Sequence, residues 1–198
     1  MPRPGAELER LIDELRQRLD ALPGDDRGGF VSSDLPAVDR VLATIVAQDL
    51  APGPLFCEWG SGLGGVCAVA ALHGFTPFGI EIQDELVDAA RELAEDLALP
   101  SVFAQGTFLL PGDEQLLGED THTRPSFDRQ AWDELQLSPR DCDLIFAYPW
   151  PGEERLMDAL FLRHAAPQAL LLTFHDRDRV LVQRKLADQE ELRSLGWM

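Results

Sequence analysis

An α/β fold, a doubly wound and mostly parallel sheet with helices on both faces and an N-terminal helical extension, is what this sequence predicts. Three observations carry the prediction. Short apolar runs alternate with segments of 3.6-residue periodicity along nearly the whole chain, the pattern of parallel strands joined by crossover helices. A cluster of glycines, Gly60 to Gly65, stands where an apolar run passes into a helical one. The chain has 198 residues, 45% of them hydrophobic. At that length a fold buries about 70% of its unfolded surface and needs neither a disulfide nor a structural metal. One domain is expected over 1–198, with 1–33 as an N-terminal helix and loop and 111–140 as an irregular insert.

The first helix carries Leu8, Leu11, Ile12, Leu15, Leu19 and Leu22 on one face, and Pro23-Gly24 ends it. Such a face suits packing, a lid or a dimer seam, with packing favoured. A loop over Asp25 to Ser33 leads to Asp34, an N-cap with Pro36 in the first turn. The second helix then bears Val38, Val41, Leu42, Ile45 and Val46, and Pro52-Gly53-Pro54 stops it. Next come a strand (Leu55 to Glu58), a helix (Gly64 to His73), a strand (Pro77 to Glu81), a helix (Asp84 to Leu97) and a strand (Ser101 to Ala104). Right-handed crossovers distribute these helices over the sheet.

The polar stretch from Pro111 to Arg140 shows one short helical candidate, Asp128 to Leu135, anchored by Trp132, and reads as a functional or mobile insert. A strand at Asp143 to Ala147, a helix at Glu153 to Ala165 and a strand at Ala169 to Phe174 complete five parallel strands. Val180 to Lys185 reads as an added edge strand after a turn at Asp176 to Arg179.

Composition narrows the function classes. Lys and Arg number 17 against 35 Asp and Glu, a formal charge of -18. That excess repels phosphate backbones and anionic headgroups, so it argues against nucleic-acid and membrane partners. Cys57, Cys67 and Cys142 are odd in number with no close pair, which matches neither a disulfide framework nor a zinc site. The longest apolar stretches, Val66 to Leu72 and Ala169 to Phe174, fall short of the roughly 18 residues of a membrane span. Met1-Pro2-Arg3-Pro4 runs into a charged amphipathic segment without the apolar core of a secretion signal. A cytoplasmic location is expected, and no feature sets the oligomeric state.

The informative segment is Phe56-Cys57-Glu58-Trp59-Gly60-Ser61-Gly62-Leu63-Gly64-Gly65. A glycine turn between a strand and a helix lets backbone approach a ligand closely, and the helix N-terminus offers free N–H groups to a nucleotide-bearing cofactor. Gly60, Gly62 and Gly65 also satisfy G-x-G-x-x-G, the dinucleotide fingerprint, and a bare tight turn is the bland alternative. Glu58 weighs on the choice. A pyrophosphate would set negative charge beside it, whereas the ammonium of S-adenosylmethionine would gain from it. Glu81 closes the next strand in Phe78-Gly79-Ile80-Glu81-Ile82, suited to accept from ribose hydroxyls or to stand solvated at a strand end.

These motifs resemble those of the class I, Rossmann-like S-adenosylmethionine-dependent methyltransferases. The resemblance rests on E-W-G-S-G-L-G, then G-I-E, then Ala104-Gln105-Gly106, then D-L-I-F-A-Y-P-W, and covers about Phe30 to Phe174. It implies S-adenosyl-L-methionine as cofactor. Gly60, Ser61, Gly62 and Gly64 would belong to the turn that lines the methionyl and ribose portions. Glu58 would face the amino group, Glu81 would hold the ribose, Ile82 would flank the adenine, and Gln105 with Gly106 would border its edge. An acidic residue often follows that glycine in the family, where this chain has Thr107. Phe30 to Ser33 looks like the loop such enzymes fold over the cofactor.

Methyl transfer from a sulfonium is an in-line displacement in which positioning and desolvation supply most of the acceleration. The tip of the fourth strand, Ala147-Tyr148-Pro149-Trp150-Pro151-Gly152-Glu153-Glu154, is expected beside the methyl. Tyr148 and Trp150 are the candidate catalytic residues: Tyr148 to accept a proton, orient a nucleophile or pack on the methyl, Trp150 to present a π face or only to pack the loop. Amino-group methyltransferases often carry D/N-P-P-Y/F/W here; Tyr148-Pro149-Trp150 matches only the last two residues, and Ala147 lacks the acceptor. Glu153 and Glu154 suit either recruitment of a cationic amine or, favoured, the first turn of a helix. His175 with Asp176 and Asp178 lacks metal-ligand spacing and reads as a turn or, alternatively, as a base; no metal is expected. His73, His122 and His164 read as helix-end or surface residues, and no serine stands in a nucleophile elbow.

The expected activity is methyl transfer to an unidentified small-molecule or protein acceptor. A non-catalytic protein that binds the donor, or an interaction protein that kept the fold, is the first alternative, with Ala147 in its favour. An NAD(P)-dependent oxidoreductase is the second, with Glu58 against it.

Overall fold

The computed structural model describes residues 4–21, 31–118, 123, 131–175, 179–186 and 191–198. Helix α1 (Pro4–Ala21) and helix α2 (Leu35–Ala47) precede β1 (Leu55–Trp59), α3 (Gly65–Leu72), β2 (Thr76–Glu81), α4 (Asp84–Asp96) and β3 (Val102–Gln105). After them come α5 (Ala131–Leu135), β4 (Leu144–Ala147), α6 (Glu154–His164), β5 (Leu170–His175), β6 (Arg179–Lys185) and β7 (Leu192–Trp197). One-turn 3-10 helices at Asp113–Leu116 and Pro139–Asp141 flank α5. The expected stops at Pro23-Gly24, and Phe30, His122, Asp176 and Asp178, lie outside the described residues.

Seven strands form one sheet in the order β3-β2-β1-β4-β5-β6-β7, the first five parallel and the last two antiparallel. Strand β1 pairs with both β2 and β4, so the chain winds outward in both directions from it, and the ends of these three strands meet at Trp59, Ile80 and Ala147. Ligands in open α/β sheets bind at such a reversal. The parallel strands are buried on both faces: Phe56, Phe146 and Leu172 join one core with α1 to α4, while Cys57, Ile145 and Leu171 join another with α5 and α6.

Local chemistry accounts for the element ends. Asp34 Oδ1 accepts the Ala37 N–H at 2.9 Å, the N-cap expected for α2. The buried stripe of that helix is Leu35, Val38, Val41, Leu42 and Ile45; Val46 is 50% exposed, one helical step off the stripe, and does not belong to it as expected. Of the Asp128 to Leu135 candidate, 128–130 lie outside the described residues and Ala131–Leu135 is helical, with the Trp132 indole N–H donating to the Phe108 carbonyl at 2.9 Å. Strand β6 is not the sheet edge. Strand β7 covers it, and this strand escaped sequence reading because Leu192 to Trp197 are half-exposed and carry no alternation. No described helix is long and apolar enough to cross a membrane.

Candidate functional site

The glycine turn is built by backbone strain that only glycine relieves. Gly60, Gly62 and Gly64 have φ of 77°, 50° and 75°, in the left-handed region. At Gly64, the residue capping α3, a Cβ would also meet the Phe103 ring at 2.6 Å. The turn is pinned to β2: the N–H groups of Gly60 and Ser61 both donate to the Ile80 carbonyl at 2.9 Å, and the Gly62 N–H donates to Glu81 Oε2 at 2.9 Å. Glu81 Oε1 accepts from Ile82 and Gln83 at 2.8 and 3.0 Å. Three backbone donors therefore hold the Glu81 carboxylate at the strand end, with acceptor capacity left for hydroxyl donors, since an ionised carboxylate offers about four lone-pair sites.

Glu58 projects from β1 toward α3, where its Oε2 accepts the Cys67 N–H at 3.1 Å. Burial pushes its carboxyl up to about 8, the Cys67 thiol and then its backbone N–H oppose this, and the charge of Glu81 adds to it. Burial therefore biases Glu58 toward its protonated form, and a cation beside it would oppose that bias. Burial also raises the thiols of Cys57 and Cys67, which makes both poor nucleophiles.

These groups open on a cavity of about 740 Å³, within the usual range for small-molecule sites. Glu58, Gly60, Ser61, Gly62, Glu81, Ile82 and Gly106 line it, as do Tyr148 and Trp150. Gly64 and Gln105 do not: Gly64 shapes the turn from behind, and Gln105 pairs with Glu81 across β3 and β2, off the wall. His175 also lies outside, its Nε2 2.7 Å from the Thr173 hydroxyl and its ring edge-on to Trp197. His73 and His164 end helices, against Asp39 and Asp113 respectively. Among the described residues no group of three or more His, Cys, Asp or Glu side chains is arranged to hold a metal.

The structure adds wall residues that the sequence did not mark, and settles the position of others that it left open. Trp59 stacks on Phe108, centroids 5.2 Å apart at 6°, and both rings wall the cavity. Helix α1 contributes Ile12, Leu15 and Leu19, so the N-terminal helix both packs on the core and closes one side of the site. Asp34, the cap of α2, and Thr107 line it too. Glu153, favoured from sequence as a helix-turn acid, is buried on the wall and accepts from Thr123 N–H at 2.8 Å and Thr123 Oγ1 at 2.7 Å. Glu154 takes the helix-turn role, with Oε1 3.3 Å from the Gly152 N–H. Only a contact distant in sequence distinguishes the two neighbours.

No protein-family model matches the chain. Among curated proteins, the magnesium-protoporphyrin O-methyltransferase of Synechocystis sp. is 31% identical over 101 residues, covering 48% of this chain and 43% of the relative. The chain thus matches less than half the length of that relative. Among solved structures, an RNA methyltransferase from Salinibacter ruber in complex with S-adenosyl-L-homocysteine aligns with a TM-score of 0.52 at 20% identity, covering 72% of this chain and 76% of that one. An O-methyltransferase from Bacillus cereus, also in complex with S-adenosylhomocysteine, aligns with a TM-score of 0.53 at 18% identity, covering 82% and 64%. The chain has the Rossmann-like fold of these methyltransferases.

Proposed function

We propose, from that fold and from the chemistry of the cavity wall, that this chain is a class I S-adenosyl-L-methionine-dependent methyltransferase. The observation that carries the reading is the pair of buried carboxyl groups at one strand-end cavity: Glu81, fastened to Gly62, and Glu58, held against the Cys67 N–H. The donor fits both. Its ammonium would draw the proton off Glu58, and its ribose hydroxyls would donate to the remaining lone pairs of Glu81. A dinucleotide pyrophosphate brings no cation to pair with the buried Glu58 carboxyl and sets phosphate charge beside it, which disfavours the oxidoreductase reading. Glycines at 60 and 62 keep side chains out of the space the donor backbone needs.

When bound, the donor supplies an activated methyl group on a sulfonium. The chain's own contribution is to orient and to exclude water: α1 and the stacked Trp59 and Phe108 wall the cavity with apolar surface, and Tyr148 and Trp150, which also line it, would face the acceptor. Tyr148 is steadied by an edge contact to Phe174, centroids 4.9 Å apart. A soluble acceptor, small molecule or protein segment, suits the charge of -18 better than a polyanion does. Calorimetric titration with S-adenosylmethionine, S-adenosylhomocysteine and NADH tests the reading. Saturable binding of the first two and not of NADH is expected; NADH binding alone would overturn it.

A further inference from the structure

Helix α3 starts without a capping side chain. Its N-cap, Gly64, offers no side-chain acceptor, so the N–H groups of the first turn need partners from elsewhere in the fold. Glu58 supplies one: it reaches over from β1, and its Oε2 accepts the N–H of Cys67, the third residue of α3, at 3.1 Å. The helix dipole favours the ionised form of an acid placed there. Cys67 is itself fully buried, and its thiol stands between two acceptors, the Phe78 carbonyl of β2 at 3.5 Å and the Glu58 carboxyl. A thiol carries one proton and serves one of them at a time. Since a hydrogen bond to a charged acceptor is the stronger, the thiol turns to Glu58 when that acid is ionised and to Phe78 when it is protonated. Glu81, on β2, adds charge that opposes ionisation of Glu58. Arg16 of α1, Asp34 at the α2 cap, and Tyr148 and Glu153 between β4 and α6 are the other titratable or charged groups lining the same cavity.

We propose that Cys67 is a positioning residue for the methyl donor: its thiol follows the charge of Glu58 and fixes the ionised carboxylate where the donor's ammonium meets it. The proposal rests on the methyl-transfer reading and on the place that reading gives Glu58. On donor binding Glu58 releases its proton to solvent, and the thiol leaves the Phe78 carbonyl for the carboxylate. The sulfur keeps its own proton throughout, so no bond to it is made or broken.

The test is the affinity of S-adenosylhomocysteine, which carries the same ammonium, for the full chain as wild type, Cys67→Ala and Cys67→Ser at pH 6 and 8.5. At pH 6 Cys67→Ala should bind about three- to tenfold more weakly than wild type, because the carboxylate formed on binding has lost a donor that the protonated acid did not use. At pH 8.5, above the value near 8 at which Glu58 titrates, that ratio should fall by about half or more. Cys67→Ser keeps a hydroxyl donor and should stay within about twofold of wild type at pH 6. Equal affinities of Cys67→Ala and wild type at pH 6, a ratio constant between the two pH values as a packing defect would give, or no recovery with serine would overturn the proposal alone. If Cys67→Ala does not fold, the infrared S–H stretch of wild type decides. S-adenosylhomocysteine should move the band that Cys67→Ser lacks to lower frequency, and an unmoved band overturns the proposal. Failure of S-adenosylhomocysteine to bind wild type would overturn the methyltransferase reading and this proposal with it.

Discussion

The Gly62 N–H donates to the Glu81 carboxylate at 2.9 Å, and this bond joins the glycine turn after β1 to the end of β2. One acid thus shapes the turn and lines the cavity. Glu81→Ala would strand the N–H groups of Gly62, Ile82 and Gln83, and on the proposed function it would also remove the acceptor for the donor's ribose hydroxyls. A stability loss of about 2–3 kcal/mol and a donor affinity lowered about tenfold or more are expected, read by urea unfolding and by calorimetry. Unchanged affinity in a folded variant would remove Glu81 from the donor site.

Glu58 makes two pH-dependent predictions of opposite sense. Its carboxyl titrates near 8 in the fold against an ordinary value of 4.5, so between these the folded state holds a proton that the unfolded chain has lost. Stability of the ligand-free protein should therefore be greatest at the acid side of this window and fall as pH rises toward 8, then level. Binding of the donor ammonium releases that proton, so donor affinity should rise over the same window and level above about 8. Glu58→Gln should flatten both profiles and weaken donor binding. Urea melts and titrations at pH 5.5, 7 and 8.5 measure both slopes; identical slopes in wild type and variant would dismiss Glu58 as their source.

Gly79 is required by packing rather than by backbone conformation. A Cβ there would lie 2.4 Å from the Phe103 ring and 2.7 Å from Ser61 Oγ, and the same ring closes on Gly64. Gly79→Ala should cost about 1–3 kcal/mol by overpacking and push Ser61 and the turn out of position, which lowers donor affinity. Adding Phe103→Leu should recover part of both losses, and strict additivity of the two changes would refute the wedge.

Asp113 is fully buried and joins the segment after β3 to the end of α6. It accepts the Leu110 N–H at 2.8 Å and faces His164 Nε2 at 2.8 Å and Arg163 Nη1 at 3.3 Å. Asp113→Ala should destabilise the chain by about 2–4 kcal/mol, below the ~3–5 kcal/mol of a fully buried pair because the Arg163 side chain is 43% exposed. Denaturant unfolding at pH 7 checks this, with Arg163→Ala expected to cost less than about 1 kcal/mol.

The alternation of strand and helix periods, the Asp34 cap and the glycine turn were legible in the sequence because each is written in neighbouring residues: period, cap chemistry and left-handed φ are local properties. Glu58 and Glu81 could be picked out for the same reason, since each ends a strand that runs toward the turn. Local pattern was therefore enough for the five-stranded parallel frame and for the edge of it on which a ligand would sit. Tertiary structure alone decided which residues share that edge. It put Glu153 on the wall through Thr123, thirty positions away, and set Phe108 against Trp59. It turned His175 toward Trp197 and away from the cavity, and laid β7 outside β6. Those outcomes depend on contacts between distant segments, where burial and pairing energies are set by the partner and not by the residue's own neighbours.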